Sequence, residues 1–162
     1  MSDDEPIQLT FYPTAPAPLD VVWCRWPIKA PPGFKDRPAL VNRVLEDPET
    51  GRFAVEVCYG TSQIRPMRGV GSFAIQSYSE LTQMGLYKVT RFELLTTQLL
   101  PWARETFPHA PGRGAPILGR FTNLQRIRLE QWSKAQKLII AALRASEDGK
   151  EDGGGGGAPP GG

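Results

Sequence analysis

The sequence predicts a mainly β fold of the α+β class, a small barrel or strongly coiled sheet with a C-terminal helix packed on it. Three observations predict it. Short runs dense in β-branched and aromatic residues follow one another with turn residues between them. A single stretch near the C-terminus carries helical periodicity instead. Hydrophobic residues fill 40% of 162 positions, enough for one core and too few for two ordinary domains.

The first strand is Asp20-Val21-Val22-Trp23-Cys24-Arg25-Trp26, stopped by Pro27. Residues 28–36 read as a basic loop, because Ala30-Pro31-Pro32-Gly33 cannot continue a ladder and Lys29, Lys35 and Arg37 surround it. Pro38 to Leu45 and Arg52 to Tyr59 make a hairpin across the turn Asp47-Pro48-Glu49-Thr50-Gly51. In its second arm Phe53, Val55 and Val57 alternate with Arg52, Ala54 and Glu56, the period of a half-buried strand. Gly60-Thr61-Ser62-Gln63 then puts polar side chains at a strand end, where a rigid sheet presents them to a ligand.

Residues 64–85 leave the element open apart from a short strand at Phe73-Ala74-Ile75. Leu86 to Leu95 reads as a further strand. Phe107 to Pro116, crowded with proline and glycine, reads as a loop outside the core. Thr122 or Asn123 caps a helix in which Leu124, Ile127, Gln131, Trp132, Ala135, Leu138, Ile139 and Ala142 recur at three and four, the face expected on the core. The resulting organisation is a disordered acidic, proline-rich arm over residues 1–17, a domain over 18–145, and a disordered acidic Gly/Pro-rich tail over 146–162.

The net charge of +2 conceals a partition. Residues 17–145 hold 18 of the 19 bases and 10 of the 17 acids, an excess of eight positive charges, while each end carries −3. A basic body of this kind fits a partner rich in phosphate. No apolar run reaches the roughly 18 residues of a membrane span, and Ser2-Asp3-Asp4-Glu5 has the wrong sign for a signal peptide, so a cytoplasmic protein without a membrane partner is expected. Cys24 and Cys58 lie in strand-like stretches and read as reduced core residues. His109 alone cannot assemble a metal triad, and no P-loop, dinucleotide fingerprint or serine elbow occurs; neither metal nor cofactor is expected.

Three segments together carry a resemblance: Asp20-Val21-Val22-Trp23-Cys24-Arg25-Trp26-Pro27, Lys35-Asp36-Arg37-Pro38-Ala39-Leu40-Val41 and Val57-Cys58-Tyr59-Gly60-Thr61-Ser62-Gln63. In this order they resemble the MazF/PemK toxin endoribonucleases, in which a GD(V/I)VW strand precedes an RPA(L/V)V strand and the next strand ends in TS or TT. The resemblance covers residues 19–65 and, more loosely, 85–101. Leu19 stands where that family has glycine. What the resemblance implies is an SH3-like barrel, a homodimer, metal-independent cleavage of single-stranded RNA and an antitoxin protein as partner. It places the catalytic arginine at Arg37 and the catalytic threonine at Thr61, with Ser62 beside it. Arg91-Phe92-Glu93 is similar to the Arg-x-Asp pair of the PemK branch.

The chemistry can be stated from the residues alone. Metal-free RNA cleavage needs a base for the 2′-hydroxyl proton, donors for the charged phosphorane and an acid for the leaving 5′-oxygen. The planar fork of Arg37 suits the second role, Thr61 donates to the same phosphate, and Glu93 accepts the proton. Arg91, too weak an acid to give up a proton, stabilises charge. Lys29, Lys35, Arg65 and Arg68 are the candidate RNA-binding bases. Two other readings stand beside this one: a nucleic-acid-binding module that does not cleave, and an SH3-like protein-interaction domain. Arg91 with Glu93 as a mere solvated pair, and Trp23, Trp26 and Trp132 as core or dimer interface, belong to those readings.

Overall fold

The computed structural model describes residues 8–63 and 71–155. Its six strands are β1 (Asp20–Pro27), β2 (Phe34–Glu46), β3 (Phe53–Thr61), β4 (Ser72–Ile75), β5 (Thr90–Pro101) and β6 (Ile117–Arg120). Two helices, α1 (Tyr78–Gln83) and α2 (Asn123–Gly155), complete the order. All strand pairs are antiparallel, in the spatial order β4-β5-β3-β2-β1-β6. The α+β class is therefore as expected, built on an antiparallel sheet whose two outermost strands have four residues each.

Both faces of the sheet are buried over β1, the middle of β2 and β3, which is why these stretches read as nearly unbroken apolar runs. Val21, Leu40, Cys58 and Phe92 point to one side, under Leu81, Met84, Leu118 and Phe121. Val22, Cys24, Ala39, Val41, Val55 and Val57 point to the other, under Trp102 and Phe107. Adjacent residues such as Val21 and Val22 thus serve opposite cores, as the period of a strand dictates. Two irregularities bend the ladder at one level: Asn42 is passed over between Val41 and Arg43, and Leu94 to Thr96 between the partners of Tyr59 and Cys58. Bulges of this kind increase twist. Cys58 sits between them, its thiol donating to Asn42 Oδ1 at 3.1 Å and lying 3.8 Å from the Leu94 carbonyl.

Several expectations are corrected. The basic loop is shorter, because β2 begins at Phe34 and takes Lys35, Asp36 and Arg37 into pairing with β1. Residues 78–83, within the stretch the sequence left open, form a helix. The strand expected from Leu86 begins only at Thr90 and runs to Pro101. Four residues directly after the Pro-rich connection add the unforeseen β6, and that connection is no peripheral loop: Phe107 and Ala110 are buried, and His109 stacks on Tyr12 at 6.2 Å.

Residues 8–17 are fastened to the body instead of forming a disordered arm. The Tyr12 amide donates to the Trp102 carbonyl at 3.1 Å, the Trp102 indole donates to the Thr14 carbonyl at 2.7 Å, and Phe11 bridges to Ala103. The C-terminal helix runs on to Gly155, past the boundary expected at 145. It also turns a different side to the sheet. Gln125 is buried and Leu129 and Trp132 pack on the core, with Trp132 edge-on to Phe73 at 5.9 Å, while Leu124, Ile127, Leu138 and Ile139 are exposed.

Candidate functional site

β2 and β3 converge where β3 ends, and the sequence determines how closely. Pro38 and Gly60 face each other across the two strands, and a Cβ on Gly60 would lie 2.7 Å from the Pro38 carbonyl oxygen. Only glycine allows that approach. Beside it opens a cleft of about 390 Å³. Its wall takes Lys35 and Arg37 from β2, Thr61, Ser62 and Gln63 from the end of β3, Trp23 from β1, and Tyr87, Lys88 and Thr90 from the approach to β5.

Four of the residues singled out from the sequence thus meet at one cleft: Arg37, Thr61, Ser62 and Lys35. Arg37 and Thr61 each lie two positions beyond the Ala39–Tyr59 pair, Arg37 towards the start of β2 and Thr61 at the end of β3. Thr61 is in turn the direct partner of Arg91 on β5. Directly paired residues share a face. One row across three strands therefore presents an arginine, a threonine and a second arginine, and the adjacent row presents Tyr59, Glu93 and Ser72.

Arg37 is held by stacking and not by a carboxylate. Its guanidinium lies over the Tyr59 ring at 4.3 Å from the centroid, and Trp26 packs against the same ring at 5.6 Å. Its Nε is buried with no hydrogen-bond partner among the described residues. The neighbouring Asp36 is committed to Arg25, whose Nε donates to it at 3.2 Å. Opposite Arg37 stands Cys24, whose thiol is pushed up to about 12, first by burial and then by the charge of Asp36, with Arg37 pulling the other way. A neutral thiol leaves the arginine charge uncompensated. Cys58 is likewise pushed up, to about 11, by burial. Both cysteines are reduced and buried, as expected.

Thr61 is nearly buried, and its Oγ1 accepts from the Gln63 amide at 3.1 Å, which fixes the turn and leaves the hydroxyl proton to give. Ser62 and Gln63 are exposed beyond it. Arg91 and Glu93 do not line the cleft. They form an ion pair at 2.7 Å, and the second carboxylate oxygen of Glu93 accepts from Ser72 Oγ, also at 2.7 Å. Lys29 is exposed on the loop before β2, away from the cleft wall, and Arg65 and Arg68 lie outside the described residues.

Sequence reasoning missed Tyr87 and Lys88, while Gln63 lines the cleft as one of the polar residues expected at the end of β3. The signal for the first two was an aromatic and a base just after Gly85, obscured by reading Leu86 to Leu95 as one strand. Among the described residues no group of three or more His, Cys, Asp or Glu side chains is placed to hold a metal ion, and no helix is long and apolar enough to cross a membrane. Neither the family models, the curated proteins nor the solved structures compared with this chain match it.

Proposed function

We propose that the chain is a toxin-type endoribonuclease that cleaves single-stranded RNA without a metal ion, with Arg37 and Thr61 at the scissile phosphate. The observation that carries the reading is the pairing of an arginine whose buried Nε has no hydrogen-bond partner among the described residues with a threonine hydroxyl, in a cleft that Lys35 and Lys88 also line. A phosphate entering there meets a planar fork of donors, a hydroxyl donor and two ammonium groups. As the 2′-oxygen attacks phosphorus and the 5′-oxygen leaves, the added negative charge falls on oxygens that Arg37 and Thr61 grip. The products are a 2′,3′-cyclic phosphate and a 5′-hydroxyl. Glu93, one row from the Thr61–Arg91 pair and outside the cleft wall, takes the 2′-proton in this reading, with Arg91 beside it to stabilise charge, while water supplies the proton that the leaving 5′-oxygen needs.

Two further features support the MazF/PemK likeness. Leu19, at the family's glycine position, takes φ 71°, the left-handed region that glycine occupies freely. The bulges at Asn42 and Leu94–Thr96 coil the sheet in the sense an SH3-like barrel requires. A homodimer belongs to the same reading, since Leu124, Ile127 and Leu138 form an exposed apolar stripe that a second copy would remove from water. An antitoxin protein would compete with RNA for the cleft.

One observation favours a second reading, an RNA-binding module that does not cleave: both carboxylate oxygens of Glu93 are already engaged. The deciding experiment incubates the purified protein with mixed-sequence single-stranded RNA in EDTA, beside Arg37→Ala. Discrete fragments ending in cyclic phosphate, absent from the variant, establish the nuclease. Intact RNA that is nonetheless retained in a salt-dependent way establishes the binding module. Neither cleavage nor retention overturns both.

A further inference from the structure

We infer that Tyr87 is a stacking platform for one unpaired base of the RNA, an assignment that rests on reading the cleft as an RNA site. The residue is 80% exposed, yet the backbone beneath it is fastened on both sides. The amide of Leu86, itself buried, donates to the Leu81 carbonyl at 2.8 Å. On the far side, buried Thr90 donates its hydroxyl to the Lys88 carbonyl at 2.8 Å. Gly85, at φ 75°, presses so closely on β6 that a Cβ there would lie 2.1 Å from the Leu118 carbonyl oxygen. The turn is thus locked against the sheet while the aromatic ring stands in water.

A large ring held in solvent on a fixed turn contributes nothing to the core. It does offer a flat apolar face that loses little freedom when a ligand covers it, since only two side-chain torsions remain to be fixed. The neighbours say which ligand. Lys88 follows directly, and both residues line the cleft that holds Arg37 and Thr61. A π-face beside a cation, on the same wall as a phosphate grip, matches the repeat of a nucleotide chain, base and phosphate in alternation. The strand must be single, because in a duplex each base face is already covered by its neighbours. Tyr78 supplies the internal comparison: it is equally exposed but lies outside the cleft wall.

The test measures binding of a fluorescein-labelled single-stranded RNA, 2′-O-methylated at every position so that it cannot be cleaved, at one fixed salt concentration. Tyr87→Ala is expected to weaken binding about tenfold, Tyr87→Phe to stay within about twofold of the parent, and Tyr78→Ala to match the parent. The same ordering should appear in KM for cleavable RNA, with kcat little changed. A duplex of the same sequence should compete poorly. Parent-like binding by Tyr87→Ala, or equal weakening by Tyr87→Phe, overturns the stacking role while leaving the nuclease reading intact. Failure of the parent protein to bind any single-stranded RNA overturns both together.

Discussion

The guanidinium carbon of Arg37 lies over the ring of Tyr59, 4.3 Å from its centroid, so the group proposed to grip phosphate is aimed by an aromatic neighbour on the adjacent strand. A carboxylate in that place would also aim the arginine, but would compete with phosphate for the same donors; a π-face orients the fork and leaves its in-plane hydrogens free. Such a stack is worth about 1 kcal/mol where partly desolvated. Tyr59→Ala is expected to lower kcat for RNA cleavage about tenfold, and Tyr59→Phe, which keeps the ring, to stay near the parent. Single-turnover cleavage rates at saturating protein check this. Equal loss in both variants would assign the effect to the phenolic hydroxyl and remove the stack from the explanation.

The close approach of β2 and β3 beside the cleft depends on a missing side chain. In Gly60→Ala the new Cβ meets the Pro38 carbonyl oxygen at 2.7 Å and the Phe92 ring at 3.1 Å, and the first of these is backbone that cannot rotate away. Overpacking of this kind costs about 1–3 kcal/mol. For a domain of this size that is a fall in Tm of several degrees. Gly114→Ala, with nothing within 4 Å and no left-handed backbone, is expected to leave Tm unchanged. Thermal unfolding of the two variants side by side decides it; coincident curves would mean that the strands separate at no cost.

The hairpin turn between β2 and β3 imposes a pH dependence. Asp47 accepts from the Glu49 amide at 3.0 Å and from the Thr50 hydroxyl at 2.9 Å, and these bonds, the backbone one foremost, hold its carboxyl below the ordinary value of 3.8. The folded state therefore binds this proton less readily than the unfolded chain. Its contribution is complete above the unfolded pKa and disappears as pH falls through the lower folded value. Asp47→Asn should accordingly be less stable than the parent at pH 7, with the gap narrowing as pH falls below 3.8 and closing once it is under the lowered folded value. Urea midpoints across that range measure it. A gap that persists undiminished at the acid end would show that charge plays no part.

What the sequence disclosed and what it concealed divide on a physical line. β1, β2 and β3 were legible because their β-branched runs serve cores on both faces, and Thr61 because polar residues at a strand end stand out against such a run; Arg37, four residues into β2, was singled out only by the resemblance of its Arg-Pro-Ala segment. The packing side of α2 was not. Leu124, Ile127 and Leu138 make the stronger helical stripe, yet Trp132 meets Phe73 and drags Gln125 and Leu129 inward with it. Tertiary fit overrode the count of apolar residues. β6 was invisible because four residues containing a glycine have no strand signal of their own; they pair only because β1 offers an edge. Tyr87 and Lys88 fell inside a run that alternates like a strand but whose first four residues form a bend ahead of β5.

Leu19 carries the most economical test of the backbone at the entry to β1. It is the one non-glycine residue with positive φ among the described residues, at 71°. Its neighbours impose that conformation: the Leu19 amide donates to the Val41 carbonyl at 2.8 Å, its own carbonyl accepts from the Phe121 amide at 3.0 Å, and Asp20 is buried beside it with its carboxylate on the Ala17 amide. A left-handed leucine costs about 1–2 kcal/mol, partly offset here by the packing of its side chain on the core around Val21. The two contributions separate on substitution. Leu19→Ala keeps the backbone strain and loses the packing, so it should be clearly less stable than the parent. Leu19→Gly loses the same packing but relieves the strain, and should exceed the alanine variant by about 1 kcal/mol, despite the greater freedom of glycine in the unfolded chain. Denaturant unfolding of the three proteins ranks them. An alanine variant more stable than the glycine variant would mean that the chain enters β1 by another backbone path.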